Sequence, residues 1–218
     1  MENPQSNKDL NRMCKNSIVL FWCYFIMMSV HIGIDNCCLA NEKGLKLDSN
    51  DFVSLFDGKT LDSWEILPGG KWNVVDGVII GAQVISDARH GMLFSKKSYS
   101  DFVVKLKYKS LKGNSGFYFR VHKFAHSVAV KGFQAEIDSE GADVGGVFES
   151  AGRAWVCRVS PDKVNTFYKK HDWNEMVVKA VGKHTTVYVN GVKTADLKND
   201  DSPIEGHFGL QLHGKQDM

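Results

Sequence analysis

The sequence of 218 residues predicts an all-β fold, an antiparallel β-sandwich of the jelly-roll type. Three observations lead to this fold class. After residue 51 the chain is a series of short apolar or alternating runs separated by Gly, Asn and Asp, which is the pattern of short strands and turns. The dipeptides Asp76-Gly77 and Asn190-Gly191 are typical of two-residue hairpin turns, because both supply positive φ angles. No amphipathic helix of useful length is visible in the sequence.

The first 40 residues predict an export segment. Basic residues precede an apolar run over residues 18–34, an order typical of a secretory signal, and cleavage is predicted after Ala40. An uncleaved membrane anchor is the main alternative, since a run of roughly 17 residues is at the lower limit for spanning a bilayer. Lipid attachment at Cys37 or Cys38 is a third alternative. We therefore expect the domain in the periplasm, at the cell surface or secreted.

A linker over residues 41–51 leads into one domain over residues 52–218, which is long enough to bury a sizeable apolar core. Strands are predicted, in chain order, at residues 52–56, 72–75, 78–81, 92–95, 102–110, 116–122, 132–139, 145–149, 155–159, 175–181, 185–189, 193–197 and 207–213. The first hairpin turn joins the strands at 72–75 and 78–81, and the second joins those at 185–189 and 193–197.

Charge and cysteine content narrow the function classes. The chain carries 27 Lys and Arg against 25 Asp and Glu, and this near balance, without a basic cluster, argues against nucleic acid as a partner. Four of the five cysteines lie in residues 1–40, so Cys157 has no partner for an intramolecular disulfide in the mature domain. We expect Cys157 to be a small buried side chain rather than a reactive thiol.

Three predicted strands alternate between apolar and functional side chains. Because successive side chains on a strand point to opposite faces, each of these strands has an apolar face and a polar face. The apolar set is Phe117, Phe119, Val121, Phe133, Ala135, Ile137, Phe208, Leu210 and Leu212. The polar set is Tyr118, Arg120, His122, Gln134, Glu136, Asp138, Gln211 and His213.

The polar set contains the candidate site residues. Glu136 and Asp138 could divide general acid and base roles or hold a divalent cation, and they could equally be two acids on a solvated face. Arg120 could bind a carboxylate, a sugar hydroxyl or an oxyanion, or form an ion pair with Glu136 across neighbouring strands. His122 is expected at the surface, and His213 ends a strand, where site residues are common. Aromatic residues could stack on sugar rings or lie in the core: Trp64, Trp72, Tyr118, Trp155, Tyr168 and Trp173.

Several common catalytic motifs are absent from the sequence. It contains no Gly-x-Ser-x-Gly nucleophile elbow, no Cys-x-x-Cys and no His-Glu-x-x-His. A metal ion would therefore have to be held by oxygen ligands from several strands.

The order of motifs resembles the bacterial 3-keto-disaccharide hydrolase domain family, a concanavalin-like jelly roll. The resemblance covers nearly everything after residue 51. The matching blocks are residues 52–64, 72–79, 98–102, 113–120, 132–138, 173–174, 189–192 and 209–214. The family usually continues past the last block into a further strand, whereas this sequence stops at Met218. On this resemblance the domain is expected to lack its last strand, which would leave an unpaired edge or a gap in the sheet.

The resemblance implies cleavage of glycosidic bonds, by hydrolysis or elimination, in sugars whose C3 hydroxyl has been oxidised to a ketone. It further implies Glu136 or Asp138 as base or metal ligand, Arg120 or a bound divalent cation as the group that polarises the ketone, and His213 as proton donor or ligand. Substrate binding is expected from Asn114, Tyr118, Gln134 and Gln211. The implied partners are the keto-sugar and a sugar 3-dehydrogenase that produces it. A carbohydrate-binding module and a structural adhesion domain are the alternatives, since a fold does not determine function.

Overall fold

A computed structural model describes residues 52–124 and 130–218 and, for residues 19–26, the backbone alone. It confirms the all-β antiparallel sandwich. The strands are β1 Val19–Ile26, β2 Val53–Ser54, β3 Trp64–Leu67, β4 Lys71–Val75, β5 Val78–Ala82, β6 Gly91–Tyr99, β7 Phe102–Ser110, β8 Asn114–Lys123, β9 Val130–Asp138, β10 Val147–Ser150, β11 Ala154–Cys157, β12 Asn174–Val181, β13 His184–Val189, β14 Val192–Leu197 and β15 Gly206–Leu212. The described residues contain one helical turn, α1 Pro161–Val164.

Two sheets face each other. The seven-stranded sheet has the order β11-β10-β9-β8-β15-β6-β3. The eight-stranded sheet has the order β14-β13-β12-β7-β1-β5-β4, with β2 paired to β1. All strand pairs are antiparallel, and neighbours such as β8 and β15 are far apart in the chain. This connectivity places the three strands with polar faces side by side.

Strand β1 lies between β7 and β5. Its backbone pairs with β7 from Val103 to Ser110 and with β5 over three residues. These residues belong to the segment that the sequence predicts for export. The predicted cleavage site at Ala40, the two cysteines at positions 37 and 38 and the linker over residues 41–51 lie outside the described residues. In the described part of the chain no helix is long and apolar enough to cross a membrane.

The space between the sheets is filled by aromatic and branched apolar side chains. Phe208 packs edge-on against Phe102, with ring centroids 4.8 Å apart, and lies 5.4 Å from Phe117. Such edge-to-face and tilted pairs add to the free energy gained by burying the rings. The apolar residues that the alternation predicted for β9 and β15 all lie in this core.

Both predicted hairpin turns are confirmed. Asp76 and Gly77 have φ angles of 50° and 76°, and Asn190 and Gly191 have 48° and 82°. Two consecutive positive φ angles match the twist of the flanking strands. The turns join β4 to β5 and β13 to β14. The sequence missed β3, which is four residues long and ends just before Pro68-Gly69-Gly70, too short to show a period.

Cys157 ends the edge strand β11 and is unpaired. Its side chain packs against the core but is only half-buried, so it is less buried than the sequence predicted. Burial raises the pKa of its thiol, which keeps the thiol in its unreactive form.

Candidate functional site

A cleft of about 480 Å³ lies on the face of the seven-stranded sheet that points away from the core. Strands β8, β9 and β15 form its floor, in a register that opposes Asn114 to Asp138 and Tyr118 to Gln134. The described lining residues are His90, Asn114, Tyr118, Gln134, Glu136, Asp138, Phe148, Ser150, Trp155, Gln211, His213 and Gln216.

Gly116 makes room for this floor. It lies opposite Glu136, and a Cβ atom at this position would lie 2.0 Å from the side-chain nitrogen of Gln134. No real side chain tolerates such a distance. The Gln134 amide therefore occupies the space above Gly116 and reaches Gln211.

Glu136 is a buried acid in the cleft. The residue is only 5 % exposed, and the Asn114 amide donates a hydrogen bond to its Oε1. Burial raises the pKa of Glu136 to about 8, the Asn114 hydrogen bond opposes this rise, and the charges of Asp138 and Asp143 add to it. At neutral pH Glu136 therefore carries a proton that it can give to a bound molecule.

Asp138 has a different environment, although it lies only two residues along β9. Its Oδ1 accepts the backbone N–H groups of Glu140 at 2.8 Å and of Ala142 at 3.2 Å. Its Oδ2 lies 3.4 Å from Nδ2 of Asn114. Since donors already occupy both oxygens, Asp138 suits a role in orienting Asn114 and the loop after β9 better than one in proton transfer.

Amide and hydroxyl groups form a continuous hydrogen-bonded chain across the floor. Gln134 donates to Gln211 at 2.7 Å, and Gln211 donates to the Tyr118 hydroxyl at 3.1 Å. The Tyr118 hydroxyl lies 3.0 Å from the Ser150 hydroxyl. Burial raises the pKa of Tyr118 to about 12, so it stays neutral. Such a chain holds its members in fixed orientations beneath a ligand.

Two histidines, His90 and His213, stand at one end of the cleft, with ring centroids 4.4 Å apart and the rings nearly perpendicular. Nδ1 of His213 lies 2.7 Å from the Gly214 carbonyl oxygen, which can only accept, so Nδ1 carries the proton. The neutral ring therefore has its lone pair on Nε2. His213 is suited to take a proton, and it can give one only after becoming charged.

Aromatic rings form the opposite wall. Phe148 on β10 and Trp155 on β11 pack edge-to-face, with centroids 5.4 Å apart, and both are half-buried. The Arg158 guanidinium lies 4.9 Å from the Trp155 centroid and is itself anchored by Asp143. A wall of this kind offers apolar ring surface beside the polar floor.

The sequence matches a known domain family over nearly the whole described domain. The family described as the 3-keto-alpha-glucoside-1,2-lyase-like domain matches residues 51–217. The chain belongs to this family. The family predicted from the sequence motifs is thereby confirmed.

Solved structures with the same fold are related only distantly in sequence. The chain is similar to the carbohydrate-binding module CBM66 from Bacillus subtilis, with 20% identity, a TM-score of 0.55 and coverage of 72% of this chain and 91% of that one. A candidate glycosyl hydrolase from Parabacteroides distasonis matches with 19% identity and a TM-score of 0.55, covering 80% of this chain and 95% of that one.

A protein of unknown function with a galectin-like fold, also from Bacillus subtilis, has 11% identity and a TM-score of 0.58, covering 72% of this chain and 86% of that one. At these identities the likenesses show the jelly-roll fold. No curated protein matches the chain.

The site residues predicted for this lyase-like domain lie together in the cleft, with one exception. Arg120 is on the other side of the sheet, 2 % exposed, where its guanidinium donates to the carbonyl oxygens of Ser100 and Gly182. It forms an ion pair with Asp101 at 3.5 Å. Both the role of Arg120 at the ketone and its alternative pairing with Glu136 are therefore wrong.

A β-bulge explains the error. The register of β8 shifts between Phe119 and His122, and Arg120 has a positive φ of 51°. The extra residue reverses the alternation, so Arg120 points to the core side and Val121 packs on the cleft side of the sheet. His122 follows the bulge, is exposed as predicted, and contacts the Glu205 carbonyl oxygen.

The predicted tryptophans lie in two different places. Trp64 and Trp72 lie in the core, whereas Trp155 lines the cleft. Sequence reasoning missed His90, Phe148, Ser150 and Gln216 as site residues. His90 comes from a loop and Gln216 from the C-terminal residues. Phe148 and Ser150 come from β10, the strand next to the edge strand β11, and alternation over β10 could have indicated these two alone.

A divalent cation was the remaining predicted ligand. Within residues 52–124 and 130–218 no group of three or more His, Cys, Asp or Glu side chains converges as a metal site. The oxygens of Asp138 are already engaged with N–H donors. The described residues thus do not fit a protein-held cation.

Proposed function

We propose that the domain cleaves glycosidic bonds of sugars that carry a ketone at C3. The observation that carries the proposal is that two carboxyl groups in one cleft have different environments. Glu136 is buried and protonated, and Asp138 is held by backbone N–H groups. Carboxyl groups with such different environments are a mark of acid–base sites.

The chemistry needs a base, an acid and a donor to the ketone. A ketone at C3 acidifies the proton at C2. In the proposed elimination His213 takes that proton at Nε2, the C2–H electrons form the C1–C2 double bond, and the C1–O bond breaks. Glu136 gives its proton to the departing oxygen, which leaves as an alcohol. Addition of water across the double bond would complete a net hydrolysis.

The remaining lining residues suit a sugar. The Gln134, Gln211 and Tyr118 chain presents fixed polar groups to ring hydroxyls, and Trp155 with Phe148 offers stacking surface. Asn114 positions Glu136 and Asp138 relative to each other. These contacts also support the second candidate, a non-catalytic carbohydrate-binding module, which would use the floor and the wall and leave the proton of Glu136 unused.

Turnover separates the two candidates. We would incubate the full chain with a 3-keto-disaccharide and with its unoxidised parent, each with and without a chelator. Loss of the keto-sugar alone is the expected result, and chelator sensitivity would show that a metal ion takes part. Binding of the parent without turnover of either sugar would contradict the enzyme and support the binding module.

The acid role of Glu136 is testable through the leaving group. Glu136→Gln should lower kcat on a 3-keto-disaccharide by about 10²- to 10⁴-fold, the usual contribution of a general acid. The loss should shrink on a 3-keto-glucoside of p-nitrophenol, whose oxygen leaves without a proton. Asp138→Asn should cost less on both substrates, and Glu205→Gln, at an exposed glutamate, is the matched control. If Glu136→Gln lowers kcat equally on both substrates, Glu136 is not the general acid.

The proposed substrate implies a supplier. A C3 ketone arises by two-electron oxidation of the C3 hydroxyl, so an oxidoreductase acting on that carbon must precede this domain. We place both in an extracytoplasmic compartment on the strength of the export segment predicted over residues 1–40. A fusion of residues 1–50 to a periplasmic reporter would test the location.

A further inference from the structure

With Arg120 outside the cleft, the ketone oxygen lacks an assigned partner. We propose that His90 is a catalytic residue that donates a hydrogen bond from Nε2 to this oxygen. The proposal rests on the proposed function above. It assigns a specific residue to the task that the sequence had given to Arg120.

His90 is built into the cleft by its surroundings. It immediately precedes β6 and lies beside Gly91, whose missing side chain lets the backbone of Gly69 approach. The His90 ring contacts the His213 ring in a perpendicular arrangement. Both rings line the cleft that also holds Glu136.

The hydrogen bonds of His90 determine which nitrogen carries the proton. The backbone N–H of Gly214 donates to Nδ1 at 3.2 Å, and the Gln211 amide nitrogen lies 3.5 Å from the same atom. A nitrogen that accepts from a backbone N–H has its lone pair free, so the proton of the neutral ring is on Nε2. The described residues provide no hydrogen-bond partner for Nε2, which leaves its N–H free for a ligand.

The surroundings of the ring favour its neutral form, although the residue itself is solvent-exposed. Burial lowers the pKa of His90, and the nearby His213 lowers it further. A neutral imidazole that donates through one nitrogen can stabilise a developing oxyanion without first giving up its proton. His90 thus meets the requirement for a ketone partner in the protonation state that the structure gives it.

Several other donors at the cleft are already used. The Asn114 amide donates to the two carboxyl groups, the Gln134 amide to Gln211, and the Gln211 amide to Tyr118. Nδ1 of His213 is taken by the Gly214 carbonyl oxygen. The two histidines therefore present opposite functions side by side, a donor on His90 and an acceptor on His213. A sugar with a C3 ketone presents the matching pair, an oxygen on C3 and an acidic hydrogen on the adjacent C2.

Two substitutions separate the donor from the packing role. In His90→Asn the side-chain oxygen can still accept the Gly214 N–H, but the donor at the Nε2 position is lost. In His90→Gln the amide nitrogen reaches the Nε2 position. We expect His90→Asn to lower kcat on the 3-keto-disaccharide by about 10²- to 10³-fold with KM little changed, and His90→Gln to recover a large part of that loss. His122→Asn, the same change at an exposed histidine away from the cleft, is the matched control.

A spectroscopic readout tests the hydrogen bond itself. A 1,5-anhydro sugar with a ¹³C-labelled ketone at C3 has no aglycone to expel, so it can bind without turnover. Its carbonyl stretch should move to lower wavenumber on binding to the wild-type chain, and this shift should be absent with His90→Asn and present with His90→Gln. Thermal unfolding of each variant checks that the fold is retained.

The outcomes distinguish the two proposals. Wild-type turnover together with an unchanged kcat and carbonyl shift in His90→Asn would overturn the role of His90 alone. A wild-type chain that neither binds nor converts the keto-sugar would overturn the proposed function, and the role of His90 with it. Equal losses in His90→Asn and His90→Gln with lowered thermal stability would assign His90 to packing and overturn the proposal.

Discussion

Burial, rather than any neighbour along the chain, controls the protonation of Glu136. Its pKa is about 8 in the folded protein against an ordinary value of 4.5, so the native state binds this proton more tightly than the unfolded state does. The resulting stabilisation is fully present below pH about 4.5 and is lost as the pH rises to about 8. In that window Glu136 should lower the free energy of unfolding by about 1.4 kcal/mol per pH unit.

Urea unfolding at several pH values measures this slope. Glu136→Gln keeps the shape of the carboxyl group but cannot ionise, so the slope between pH about 4.5 and 8 should flatten in the variant. Glu205→Gln, at an exposed glutamate, should leave the wild-type slope unchanged. Identical pH profiles for Glu136→Gln and the wild-type chain would show that Glu136 titrates normally and is not held protonated.

Residue-level prediction from the sequence succeeded where strict alternation holds. Gln134, Glu136 and Asp138 all face the cleft, because β9 keeps a regular pleat over this stretch. His90 could not be found in the same way, since it lies in a loop without a period. Its place depends on contacts with Gly214, which follows it in the chain by 124 residues.

At the level of elements, the bulge in β8 shows why the alternation failed at Arg120. Two glycines on the neighbouring strands accommodate it. A Cβ atom on Gly132 of β9 would lie 2.5 Å from the Arg120 carbonyl oxygen, and one on Gly206 of β15 would lie 2.5 Å from the Arg120 carbonyl carbon. A bulge in β8 needs space that the neighbouring strands β9 and β15 must provide. The alternation pattern of β8 alone does not contain that information.

The glycines give this explanation a test. Gly206→Ala should destabilise the fold by about 2 kcal/mol or more, because the backbone of the bulge cannot move away without losing the Arg120 hydrogen bonds. Gly191→Ala is the matched control, since Gly191 also has a positive φ, of 82°, but a methyl group added there would meet no atom within 4 Å. Denaturant unfolding of both variants measures the difference. If Gly206→Ala lowers the free energy of unfolding no more than Gly191→Ala does, the loss comes from backbone strain alone and Gly206 has no steric role at the bulge.

At the level of the whole molecule, the sequence predicted the fold class and most strands but not their order in the sheets. Turn chemistry identifies local pairs such as β4 with β5, because both strands adjoin the same dipeptide. The neighbours β8 and β15 are joined through Ser115 and Gln211, whose hydrogen bond spans 96 residues. Such pairings depend on the packing of two complete sheets, which no short window of sequence reports.

The position of β1 links the fold to the predicted export segment. β1 supplies hydrogen-bond partners to β7 along Val103 to Ser110 and to β5 along part of its length. Removal of residues 1–40 would leave the edges of β5 and β7 that face β1 unpaired. Unpaired edges lower stability and favour association between chains. We therefore expect residues 41–218 to unfold at a lower temperature than the full chain, or to aggregate.

A second truncation distinguishes the strand from the rest of the segment. A chain of residues 17–218 loses the basic start but keeps β1, so its unfolding temperature and its elution in size-exclusion chromatography should match those of the full chain. If residues 41–218 are as stable and as monomeric as residues 17–218, β1 contributes no stability to the sandwich. The backbone N–H and C=O groups of β5 and β7 that face β1 must then find other hydrogen-bond partners. If they are destabilised, cleavage after Ala40 would remove a strand on which the sheet depends, and an uncleaved segment would be the form compatible with the folded domain.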